Sequence, residues 1–131
     1  MIAVCLKWLD APSAPPDTPG DERFGGISLA DEAALELALQ HAELLGDEVV
    51  AVSAGGPPAV AALRQALARG AARAVHVDMS PTLDSATVAG ALAAVVDGAQ
   101  FVWCGDMSAD RGSGSVPAFV AAARRSRQAL G

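Results

Sequence analysis

The sequence predicts an α/β fold, a parallel sheet with helices on both faces, on three observations. Short valine-rich runs alternate with alanine- and leucine-rich segments whose apolar residues repeat at helical spacing. The strand-like runs are apolar almost throughout, as strands covered on both faces are. Hydrophobic residues make up 52% of the chain and aromatic residues only 4%, a composition that suits helices packed closely on a sheet. At 131 residues the chain reads as a single domain, 1–131, large enough to bury a core.

The elements follow in order. Ile2 to Trp8 is an apolar run broken only by Lys7, and reads as a first strand buried on both faces. From Asp10 to Gly26, four prolines and three glycines forbid regular structure, and the segment is longer than an ordinary strand–helix loop. It reads as a functional excursion or a flap. Ser28 caps a first helix, with Asp31 and Glu32 in its first turn. Leu35, Ala38, Leu39, Ala42 and Leu45 form its apolar stripe, and Gly46 ends it.

A second strand, Val49 to Val52, leads through Ala54-Gly55-Gly56-Pro57-Pro58 into a helix over Ala59 to Arg69, closed by Gly70. Prolines are tolerated at a helix start because the N–H groups they lack would have had no partner. The third strand spans Arg73 to Val77 and carries His76, which reads as a satisfied, half-buried histidine rather than a catalyst. A third helix runs from about Leu83 or Asp84 to Val96. Phe101 to Cys104 is the fourth strand, and Val116 to about Leu130 the fourth helix.

Four successive βα units imply right-handed crossovers and a Rossmann-like sheet of strand order 3-2-1-4. The order reverses between strands 1 and 4, and ligands of such sheets sit at the carboxyl ends of the strands flanking that point. The turn after Trp8 and the loop after strand 4 are thereby nominated. That loop is Gly105, Asp106, Met107, Ser108, Ala109, Asp110, Arg111, Gly112, Ser113, Gly114, Ser115 and Val116. Gly112 and Gly114 let the backbone approach a phosphate, Ser113 and Ser115 add hydroxyl donors, and the following helix offers free N–H groups. An ordinary loop with a turn glycine and a capping serine accounts for the same residues.

Other classes are set aside. A net charge of −6 argues against nucleic acid and anionic membranes as partners. The basic cluster Arg124, Arg125 and Arg127 falls near the end of the last helix, where cations complement its dipole. No apolar run approaches the roughly 18 residues of a membrane span, and Met1 to Leu6 lacks the features of a signal peptide, so the expected location is cytoplasmic. Cys5 and Cys104 fall in predicted buried strands, without metal-ligand spacing, and read as small hydrophobic residues.

Gly112-Ser113-Gly114 is only part of a dinucleotide fingerprint and follows the wrong strand, and no GK[ST] triplet exists for a P-loop. Ser53-Ala54-Gly55-Gly56 only faintly echoes the phosphate loop of N-type ATP pyrophosphatases. Neither His41 nor His76 is placed for a Ser/His/Asp arrangement. Asp106 and Asp110 lack the neighbour a paired-carboxylate site needs.

Four stretches together resemble the β-subunit family of electron-transfer flavoproteins. Ala3-Val4-Cys5-Leu6-Lys7-Trp8 is similar to the family's opening strand, which ends in V-K. Ser28-Leu29-Ala30-Asp31-Glu32-Ala33-Ala34-Leu35-Glu36 resembles N-P-F-D-E-x-A-L-E. Val52-Ser53-Ala54-Gly55 and Leu63 to Ala74 resemble V-S-x-G and L-R-x-A-L-A-M-G-A-D-R-A. Cys104 to Val116 resembles C-G-x-x-x-x-D-x-x-[TS]-G-x-[VM]. Ser28 stands for the usual Asn, and Asp106 for a frequent Lys or Arg.

The resemblance implies an electron carrier rather than an enzyme. Such a protein is an αβ heterodimer that takes electrons from a dehydrogenase onto FAD and passes them to a downstream acceptor. The α-subunit holds most of the flavin, and the β-subunit closes one side and buries a structural AMP. Carried over by position, the AMP contacts are Cys5, Ser28, Ala54 and the loop Gly105 to Val116. The likeness covers essentially the whole chain but about the first half of a typical member. Strand 4 is then expected to be a sheet edge open to self-association. A universal-stress-type adenine-nucleotide module and a non-redox structural subunit stand as alternatives.

Overall fold

A computed structural model describes residues 1–11, 13, 15–17, 20–79 and 85–105. Its main sheet contains the parallel strands β1 (Ile2–Cys5), β4 (Val49–Gly55), β5 (Arg73–Asp78) and β6 (Phe101–Cys104) in the order β5-β4-β1-β6. A separate antiparallel pair consists of β2 (Trp8–Asp10) and β3 (Gly25–Ile27). The helices are α1 (Leu29–Leu45), α2 (Pro58–Arg69) and α3 (Ser85–Val95). Numbering only the main-sheet strands gives the expected 3-2-1-4, with the reversal between β1 and β6. The fourth helix and the loop 106–116 lie outside the described residues.

Alternation along the strands divides the core into two layers. Ile2 and Val4 of β1 and Ala51 of β4 pack with Leu35 and Ala38 of α1 and with Ala62 and Ala66 of α2. Ala3, Val50 and Val52 face the other way, toward Leu92 of α3 and Val96 just beyond it. Helices thus cover both faces, as right-handed crossovers on either side of β1 require. The alanines are what allow the close approach. Leu35 is fully buried, and its truncation to alanine would cost about 2–5 kcal/mol.

The helix ends follow their local chemistry. The Ser28 hydroxyl accepts from the Asp31 N–H at 3.0 Å, and Gly46, with φ 64°, donates back to the carbonyls of Ala42 and Glu43. Pro57 and Pro58 open α2 as expected.

Four expectations are corrected, the first two around β2 and β3. The first strand does not run unbroken to Trp8: it ends at Cys5, where the chain leaves the sheet, and Trp8 starts a separate strand. Lys7 donates its N–H to a side chain, Asp31, rather than to a neighbouring strand. Nor is Asp10 to Gly26 wholly irregular, since its two ends pair as Asp10↔Gly25 and Leu9↔Gly26. Gly25 permits this, because a Cβ there would collide with the Leu9 carbonyl oxygen. The Asp10 carboxylate ties the base of the excursion, accepting from Trp8 Nε1 at 2.9 Å and from the Gly20 N–H at 3.0 Å.

The fourth strand is not buried throughout. β6 is the outer strand among the described residues, and Phe101 is half exposed. It is joined to α1 by an aromatic contact: Trp103 Nε1 donates to His41 Nδ1 at 3.2 Å, and the Phe101 ring lies 4.4 Å from the imidazole. His76 is exposed rather than half-buried, although satisfied, with Nε2 2.9 Å from the Gly55 carbonyl oxygen.

Candidate functional site

β1 and β6 run side by side in register, so Cys5 lies opposite Cys104 and both strands deliver their loops to one end of the sheet. β4 lies on the other side of β1, with Val52 opposite Cys5 and Ala54 two residues further toward the same end. Cys5, Ala54 and Cys104 share the α3-facing side, where their short side chains leave three adjacent strand ends without a bulky group.

The start of α1 is bound to this end of the sheet by Asp31. Its carboxylate accepts from the Lys7 N–H at 2.8 Å and from the Gly105 N–H. The loops leaving β1 and β6 are thereby pinned to the first turn of one helix, just beyond the Ser28 cap. Gly105 is required there: a Cβ would overlap Asp31 Oδ1 and crowd Ala30.

Asp31 is only 7% exposed, and burial pushes its carboxyl up to about 6. The two backbone donors and the positive charge of Lys7 pull the other way but do not overcome desolvation. The geometry makes Asp31 a structural clamp. Its oxygens are taken up by N–H groups of two neighbouring loops, so it orders those loops rather than exchanging protons with a substrate.

Ser53 lies near the same end of β4. It is fully buried, and its hydroxyl has no hydrogen-bond partner among the described residues. Strand alternation turns it away from Ala54, toward α1 and α2.

Cys5, Ala54, Gly105 and the Ser28 cap are therefore brought to one end of the sheet, at the point where strand order reverses. Asp106, Met107, Ser108, Ala109, Asp110, Arg111, Gly112, Ser113, Gly114, Ser115 and Val116 lie outside the described residues. Sequence reasoning saw Asp31 only as a first-turn acid and missed the clamp. The signal was present as Ser-x-x-Asp, a capping-box spacing, but that pattern predicts a bond within the helix. A groove of about 450 Å³ on the outer side of α1 and α2, lined by Leu35, Leu39 and Arg69 among others, contains none of these residues.

Among the described residues no group of three or more His, Cys, Asp or Glu side chains could hold a metal ion. No helix among them is long and apolar enough to cross a membrane.

Residues 21–129 match the family described as Electron transfer flavoprotein domain. The chain is also 39% identical over 128 residues to the Electron transfer flavoprotein subunit beta of Syntrophomonas wolfei subsp. wolfei, an alignment covering 92% of this chain and 51% of that relative. The chain thus spans about half the length of the curated relative it matches. The family match and the identity agree: the chain belongs to the electron transfer flavoprotein β-subunit family.

Proposed function

We propose that the chain is the nucleotide-binding portion of an electron-carrying β-subunit, with AMP as its own ligand. The observation that carries this is the clamp of Asp31 on Lys7 and Gly105, which holds the loops leaving β1 and β6 beside strand ends that carry only small side chains. The residues there fit an adenine nucleotide. Cys5 and Ala54 offer narrow side chains to a flat base. The positive end of the α1 dipole faces the same region and favours a phosphate. The loop Gly105 to Val116 supplies glycines and serines to complete the cradle.

With an α-subunit, this portion closes one side of an FAD site. The flavin supplies the redox chemistry, carrying electrons from a dehydrogenase to a downstream acceptor in the cytoplasm. The contribution of this chain is to fix the shape of its own half: Asp31 holds the two strand-end loops, and the apolar layers exclude water beneath them.

Mass spectrometry of nucleotide released from the purified chain, alone and co-purified with an α-subunit, tests the reading. AMP is expected in both preparations, and flavin absorbance only in the complex. Absence of any adenine nucleotide from both would overturn it.

A further inference from the structure

We infer that Cys5 and Cys104 form a two-thiol modification site, which closes to a disulfide across β1 and β6 by exchange with a low-molecular-weight disulfide. The two residues are more than ninety positions apart in sequence, yet the register places them directly opposite each other on neighbouring parallel strands. Both side chains lie on the α3-facing side, and neither is in a disulfide. Neighbouring strands are spaced by about 4.8 Å, which is inside the range of roughly 4.4–6.8 Å that disulfides span between Cα atoms. Closure requires the two Cβ atoms to approach by about 1 Å. Both residues are the last of their strands.

Exposure assigns the order of events. Cys104 is half-buried and Cys5 only 8% exposed, so Cys104 is the entry thiol. Its thiolate attacks one sulfur of the small disulfide, forming a mixed disulfide and releasing one small thiolate, which takes up a proton. The Cys5 thiolate then attacks the Cys104 sulfur and expels the second small thiol. Two protein thiols are oxidised and one small disulfide is reduced to two thiols. Because Gly105 follows Cys104 and is held by Asp31, the bond ties the start of the loop after β6 to β1. The chemistry requires no bound nucleotide.

The chain has two cysteines, so the product is unambiguous by mass. The folded full chain is incubated with oxidised glutathione, quenched with N-ethylmaleimide and weighed intact. The expected product is a monomer lighter by two hydrogens, with neither thiol alkylated, that dithiothreitol restores. Cys5→Ser is expected to stop at a stable glutathione adduct on Cys104. In Cys104→Ser, adduct formation at Cys5 should be at least about tenfold slower, as expected for a less accessible thiol. Circular dichroism confirms that each variant is folded. Accumulation of glutathione adducts without closure in the parent chain, retention of two alkylatable thiols, or a disulfide formed only between chains would each overturn the assignment.

Discussion

Gly105 and Asp31 are matched in size: the carboxylate of one fills the space that a side chain on the other would need. The contact joins the loop after the outer strand to the first turn of α1. It also commits a buried charge to backbone donors from two different loops. The arrangement of these two loops therefore depends on a residue with no side chain and on one whose side chain is almost entirely buried.

Gly105→Ala should destabilise the chain by about 1–3 kcal/mol, the usual cost of forcing an extra methyl into a filled space. Urea midpoints of the single variants and of the Asp31→Ala/Gly105→Ala pair check this. The double variant is expected to lose less than the sum, since removing the carboxylate makes room for the methyl.

The pH dependence of Asp31 runs opposite to that of an ordinary surface carboxylate. Its native value of about 6 lies above the ordinary 3.8, so the folded state holds this proton more tightly than the unfolded one. Its stabilising contribution is therefore complete below about pH 4 and is lost as pH rises through about 6, a change of about 3 kcal/mol. Asp31→Asn cannot titrate. The stability of the parent chain minus that of Asp31→Asn should grow as pH is lowered from 7 to 4, measured by urea unfolding at each pH. A flat difference would contradict burial of the carboxylate.

Ser53→Ala should be neutral or stabilise the isolated chain by up to about 1–2 kcal/mol. The hydroxyl is enclosed without a partner among the described residues, and its desolvation is then uncompensated. Thermal melts of the two chains decide the matter; a clear loss of stability on substitution would reveal an acceptor or donor for this hydroxyl.

Trp103→Phe keeps a ring at the α1–β6 contact but removes the N–H that His41 accepts. A cost of about 1 kcal/mol is expected, and less in a His41→Leu background where the acceptor is already gone. A double-mutant cycle by chemical denaturation measures that coupling.

Much of the architecture was legible because strong local signals agreed with the global arrangement. Ser28 and Gly46 bracket α1 as their chemistry demands, and the apolar runs around Val4, Val50, Val75 and Val102 all became parallel strands. The hairpin was not legible. Its strands are three residues each, and Gly25 and Gly26 signal a break unless the close approach of the Leu9 backbone is known.

The reversal of strand order was legible, and the contacts made beside it were not. Alternation of βα units places the reversal of strand order between the first and fourth strands and nominates the turn after Trp8, whereas the first strand ends at Cys5. That Asp31 turns inward to serve two distant N–H groups depends on the angle at which α1 meets the sheet, and no spacing records that angle. Cys5 and Cys104 likewise read as unrelated small residues until strand register aligned them.

The position of β1 has a consequence for how the chain assembles. β1 is made before both of its neighbours yet occupies an interior place, with β4 on one flank and β6, the last described strand, on the other. Everything through β5 can dock while β1 still shows a bare row of amide and carbonyl groups on its second flank. That flank closes only when Ile2 meets Phe101, a long-range pairing of the kind that slows folding. A nascent chain paused before β6 would thus carry an adhesive edge at its centre, the point at which a holding chaperone or a wrong partner strand would find it.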